Sequence, residues 1–80
     1  MDINKEKTLG LKIRDLRQRM GLSREDFGEL LSIRAEYVHR YEHGTGGKPK
    51  HHVMNKLMRL ASEFDLRELV AYLRDEWREH

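Results

Sequence analysis

The chain contains no cysteine, which excludes a disulfide framework and any thiolate metal site. No apolar run is long enough to span a bilayer, and the opening MDINKEKT is too polar for a signal peptide. No membrane association is expected, and the cytoplasm is the expected compartment. Strand patterning is missing throughout, and so is any internal repeat. Serine, histidine and aspartate all occur, but no glycine elbow or oxyanion signature frames any serine. Eighty residues also leave little volume for a deep substrate cleft. The reading is therefore a non-enzyme with no cofactor.

What remains is short, charged and helical. Apolar residues make up 38% of the chain and charged residues another 38%, a balance that suits one compact helical domain with a densely charged surface. Net charge is only +2, but it is unevenly spread. From Gly10 to His52 there are nine Lys/Arg against six Asp/Glu, with four of the five histidines. From Val53 to His80 there are five Lys/Arg against six Asp/Glu. The basic excess lies in the first two-thirds, a modest footprint for a phosphate-bearing partner.

Periodicity divides the chain into five helices. Residues 1–7 read as a flexible polar tail and 8–80 as a single domain. Thr8 can cap a first helix through about Met20, with Leu9, Ile13, Leu16 and Met20 as its buried stripe. Gly21 can end it in the left-handed conformation. Ser23 caps a second helix, its hydroxyl accepting from the Asp26 amide while the Asp26 carboxylate reaches back. Phe27, Leu30 and Leu31 form the apolar face of that helix. A third helix runs from about Ala35 to His43, with Val38 and Tyr41 inward and Gly44 as its stop. The stretch GTGGKPK, Gly44 to Lys50, holds three of the six glycines and the only proline, and reads as a loop. A fourth helix spans about Lys50 to Glu63, with Val53, Leu57, Leu60, Ala61 and Phe64 along one side. Asp65 with Glu68 forms a second capping box opening a fifth helix, in which Leu66, Leu69, Val70, Leu73 and Trp77 are in register. Short helices with short connections predict an all-α, five-helix orthogonal bundle.

The informative stretch is SREDFGELLSIRAEYVHRYEHG, Ser23 to Gly44. Two helices joined by about three residues cross steeply and leave the second one proud of the surface, the geometry of a DNA-reading helix-turn-helix. Such a crossing needs a small residue where the backbones approach. Gly28 is placed for it, since a mid-helix glycine costs about 1 kcal/mol relative to alanine.

On these residues a resemblance becomes specific. IRDLRQRMGLS at Ile13–Ser23, DFGELLSI at Asp26–Ile33 and VHRYEHG at Val38–Gly44 resemble the Xre-type (Cro and lambda-repressor-like) helix-turn-helix family, from Leu9 to Phe64. The resemblance implies a lambda-repressor-like DNA-binding domain of a bacterial or phage, nucleoid-associated regulator. It also implies an ion pair between Arg17 and Glu42, tying the first helix to the end of the third. Two departures stand out. The family usually carries alanine where Gly28 stands, and glycine at the turn position held by Ser32. A serine forced into the left-handed region there would cost on the order of 1–2 kcal/mol, so a slightly different turn is expected.

The third helix projects Ala35, Glu36, Tyr37, His39 and Arg40 away from its Val38 and Tyr41 side. By resemblance, Ala35, Glu36 and Arg40 occupy base-contacting positions. The chemistry fits: Arg40 can grip guanine O6 and N7, Glu36 can accept from cytosine N4, and Ala35 can pack on a thymine methyl. Glu36 reads equally as an ordinary acid at a helix N-terminus, favoured by the dipole. Arg24 matches a family position beside the DNA backbone, and Arg34, His43, Lys48, Lys50 and the amides opening the fourth helix can hold flanking phosphates. His39 and His43 are four apart on one helix with His51 and His52 nearby, a spacing that can bind zinc, but no carboxylate stands at an evident ligand spacing, and no metal is expected. Protonated histidines facing phosphate predict tighter DNA binding at pH 6 than at pH 8.

A single major-groove helix buries too little surface for tight specific binding, so pairing across a palindrome is expected. The fifth helix runs past the usual family core, and Val70, Leu73 and Trp77 could form a homodimer contact. Trp77 folded back onto the first helix is an equal reading. Met54 and Met58 make a second stripe on the fourth helix, more often core than interface. Two functions stay open. One is a homodimeric transcriptional regulator, a repressor, on double-stranded DNA. The other is a protein-interaction module of the same fold, such as an antitoxin or corepressor-binding regulator, whose main partner is another polypeptide.

Overall fold

The computed structural model describes residues 5–46 and 49–78, with side chains from residue 8 to residue 75 outside that gap. Among the described residues it contains five helices: α1 (Lys5–Arg19), α2 (Arg24–Leu31), α3 (Ala35–Glu42), α4 (His51–Glu63) and α5 (Arg67–Arg78). No strand occurs among them, so the fold is the all-α five-helix bundle that the periodicity implies.

One core joins all five helices. Leu9, Ile13 and Leu16 of α1 meet Phe27 and Leu31 of α2, Val38 of α3, Val53, Leu57 and Ala61 of α4, and Leu69 and Leu73 of α5. Met54 is also fully buried, and Met58 packs against the cluster, so the methionine stripe belongs to the interior. Burying each of the larger side chains contributes about 1.5–3 kcal/mol. Two expected members lie elsewhere: Leu30 is 46% exposed and Phe64 41% exposed. In α2 the inward face is set by Phe27, Gly28 and Leu31, and Leu30 falls to its side. Phe64 follows the last turn of α4 as its C-cap, where the backbone has already left helical geometry. Leu73 is 0% exposed within its own chain. It is therefore core and unavailable as a dimer contact. Val70 is only partly buried, and the Trp77 side chain lies outside the described residues.

Two helix starts differ from expectation. Helix α1 is already formed at Lys5, which places Thr8 inside it rather than at its cap. Residues 5–7, taken as tail, are helical, consistent with the strong helix propensity of Lys and Glu. Residues 1–4 lie outside the described residues. Helix α5 begins at Arg67, and Asp65 does not cap it. Asp65 has φ 55° and ends α4, with its amide donating to the Ser62 carbonyl and the Leu66 amide to Ala61. Glu68 bonds Lys12 Nζ at 3.1 Å instead of returning to Asp65.

The same terminator closes four helices. After α1, the Gly21 amide donates to Gln18 and the Leu22 amide to Arg17. After α3, the Gly44 amide donates to Tyr41 and the Thr45 amide to Arg40. These paired bonds, with a left-handed residue between, satisfy carbonyls that the helix leaves orphaned. After α2 the left-handed residue is Ser32, at φ 59° and ψ 40°. Its amide donates to Glu29 and that of Ile33 to Gly28. The turn between α2 and α3 therefore keeps the ordinary geometry with serine in place of glycine, against the deviation expected from the steric cost. Lys56 Nζ reaches from α4 to the Ser32 hydroxyl at 2.9 Å.

Candidate nucleic-acid interface

Helix α3 is held from behind by α1 and α2. Three features fix it. Val38 is fully buried, so one side of α3 is committed to the core. The second feature is Gly10, where an added Cβ would collide with the backbone carbonyls of Tyr41 and Glu42. Only a bare α-carbon lets α1 approach α3 this closely. The third is Glu42, whose side chain is 0% exposed. Arg17 Nε donates to Glu42 Oε2 at 2.6 Å and Arg17 Nη2 to Oε1 at 3.4 Å. Arg17 Nη1 also donates to the Leu22 carbonyl at 2.9 Å, joining α3 to the connection between α1 and α2. A buried carboxylate needs such partners, because an unpaired charge in the interior is strongly destabilising.

Ser23 accepts from the Asp26 amide at 3.1 Å, which fixes the start of α2. The return bond from the Asp26 carboxylate does not form among the described residues; aspartate is one methylene shorter than the glutamate usual in this motif. Gly28 lies where α2 meets the turn: a Cβ there would stand 2.6 Å from the Ile33 carbonyl oxygen. The glycine thus lets α2 touch the segment leading into α3.

These constraints leave Glu36, Tyr37, His39 and Arg40 exposed on α3, with Ala35 half-buried. Arg34, which precedes α3 as its N-cap residue, is exposed as well. Arg40 Nη2 lies 3.8 Å from Glu36 Oε2, and Arg34 Nη1 lies 3.8 Å from Glu36 Oε1. The Arg40 guanidinium also sits 5.4 Å from the centre of the Tyr37 ring, within cation–π range. His39 and His43 stack with ring centroids 4.1 Å apart. His43 Nδ1 is 2.9 Å from the His39 carbonyl oxygen; a carbonyl can only accept, so this contact places a proton on Nδ1. Among the described residues no group of three or more His, Asp or Glu could hold a metal ion.

Beside α3 runs a groove of about 340 Å³ lined by residues that include Arg34, Tyr37, Tyr41, Lys50 and His52. It leads to the start of α4, whose first turn has no acidic residue and whose cap position, Lys50, makes no side-chain bond. An uncapped helix start carries partial positive charge suited to an anion. Burial raises the Tyr41 hydroxyl above its ordinary pKa of 10.0, with Tyr37 adding to the effect, so the Tyr41 phenol is a neutral donor near neutral pH.

The predicted phosphate set separates. Arg34, Lys50 and His43 are exposed near α3. Arg24 is different: its Nε donates to Glu42 Oε1 at 3.4 Å, so it serves as a second partner of the buried carboxylate. Lys48 lies outside the described residues. Sequence reasoning missed Gly10, since its constraint comes from the carbonyls of Tyr41 and Glu42, far along the chain. His52, one of the histidines considered as facing phosphate, lines the groove with Lys50.

No helix among the described residues is long and apolar enough to cross a membrane. Comparison with curated proteins and with solved structures finds no match. The family model described as a helix-turn-helix domain matches residues 8–74, a span that includes the paired helices α2 and α3, their turn and the supporting core. This chain belongs to the helix-turn-helix domain family of DNA-binding proteins.

Proposed function

We propose that the chain is a sequence-specific transcriptional regulator of the Xre type, a repressor that reads the major groove of double-stranded DNA with α3. It is a binding module rather than an enzyme, working as a homodimer in a bacterial or phage-infected cytoplasm. The observation that carries this reading is the division of α3. Val38 and Glu42 are buried, while Glu36, Tyr37, His39 and Arg40 stand exposed on the same helix. In helix-turn-helix domains the N-terminal residues of this helix contact base edges while neighbouring elements touch the backbone. Arg40 is assigned to guanine, and Arg34, Lys50 and the start of α4 to flanking phosphates. Dimerisation is assigned to α5 through Val70, which is only partly buried, while Leu73 is core.

Selection of bound duplexes from a random library tests the proposal. A palindromic enriched site is expected, its half-sites separated by about one helical turn or a multiple of it. Absence of duplex binding at low salt would transfer the main role to a polypeptide partner. Binding through about six phosphate contacts gives a log–log salt slope near −5.

A further inference from the structure

The exposed charges of α3 form a bridged set. Glu36 stands between Arg34 and Arg40, 3.8 Å from a guanidinium nitrogen of each. Arg40 is held a second time, since its guanidinium lies 5.4 Å from the Tyr37 ring centre. Glu36 and Tyr37 precede Arg40 by four and three residues, so both anchors lie one turn toward the helix N-terminus. Long side chains on a helix already lean that way. The two contacts therefore draw the Arg40 guanidinium back toward the N-terminal end of α3. Glu36 has a second effect. Its carboxylate repels phosphate directly and offsets charge on two arginines that would otherwise bind any duplex.

We propose that Glu36 and Tyr37 are positioning residues for Arg40, and that Glu36 lowers sequence-independent DNA binding so that a correct base contact is needed for affinity. This rests on the reading of α3 as the DNA-contacting helix. When Arg40 meets guanine O6 and N7, it gains two acceptors that replace the long contact to Glu36. On a wrong sequence no such exchange is available, and Glu36 stays beside the arginines. Glu36 thus acts chiefly on discrimination. A direct reader of cytosine would act at one base pair only, and a plain helix-start acid would act on stability only.

The test uses the full chain, a selected duplex and a random duplex, titrated across a salt series. Wild type, Glu36→Gln and Tyr37→Leu are compared, with thermal midpoints measured alongside. For Glu36→Gln the expected result is tighter binding to the random duplex, by about threefold or more. Its salt slope should steepen by about 1–2, because each additional phosphate contact contributes roughly 0.9. The ratio of selected to random affinity should fall about fivefold or more. For Tyr37→Leu the ratio should also fall, without the steeper slope, because no charge is released. Three outcomes would overturn the inference: unchanged random-duplex affinity in Glu36→Gln, altered preference confined to one base pair, or a lower midpoint with binding intact. If wild type binds neither duplex, the DNA-contacting role of α3 fails first and takes this inference with it.

Discussion

Two glutamates on one helix, Glu36 and Glu42, each lie between two arginines and have opposite surroundings. Glu42 has a side chain 0% exposed, and its nearest contact, to Arg17, is 2.6 Å. Glu36 has a side chain 55% exposed, and both of its contacts are 3.8 Å. Six residues separate them, which puts them on sides of α3 about 120° apart. The same acid between the same bases thus serves the fold on one side and the ligand on the other. Dielectric decides which. Water screens Glu36, so its arginines stay available for exchange with DNA, and such exposed pairs contribute little to stability. The interior screens Glu42 poorly, so its arginine cannot be released without a large penalty.

Breaking the buried side should give the largest effect. Arg17→Met leaves the Glu42 carboxylate without its closest partner and should cost about 3–5 kcal/mol in denaturant unfolding. Glu36→Ala should change stability by no more than about 0.5 kcal/mol. Comparable losses in the two variants would erase the contrast. Next in size is Gly10→Ala, which places a methyl against the Tyr41 and Glu42 carbonyls and should cost about 1–3 kcal/mol. A neutral result would mean that α1 and α3 do not approach this closely.

A smaller effect sharpens the comparison from the turn that sets α3. Ser32→Gly removes a left-handed strain and should stabilise the chain by about 1 kcal/mol, read as a rise in the unfolding midpoint. If Ser32 occupied an ordinary right-handed geometry in solution, glycine would destabilise instead. The smallest effect concerns Tyr41. Its pKa is raised by burial and by Tyr37, so folding favours the neutral phenol. The stability that this provides is fully present below pH 10 and is lost as pH rises through the higher folded-state value. Tyr41→Phe should flatten that decline in unfolding free energy above pH 10.

Much of this was legible in the chain itself. The stripe Leu9, Ile13, Leu16 and the stops at Gly21 and Gly44 follow from periodicity and from glycine's tolerance of positive φ. The resemblance supplied the pairing of Arg17 with Glu42, for which spacing alone gives no distance. Other features had no local signal. Asp65 carries the chemistry of a helix start and of a helix end, and tertiary packing selects the end. Leu30 and Phe64 fit an apolar pattern, yet a helix of eight residues such as α2 can turn either neighbouring row inward. Arg24 reads as a phosphate contact because nothing in the sequence shows the buried carboxylate it reaches. Gly10 is invisible for the same reason: what it makes room for is backbone, and any residue would have supplied that.

The central claim is that α3 is held rigidly from behind so that its outer side chains meet a duplex. Its most direct test is the affinity of Arg40→Ala for the selected duplex, measured at fixed salt beside the wild type. A loss of about 1–3 kcal/mol is expected, with relaxed preference at one base pair per half-site and an unchanged unfolding midpoint. Wild-type affinity and wild-type base preference in Arg40→Ala would contradict it.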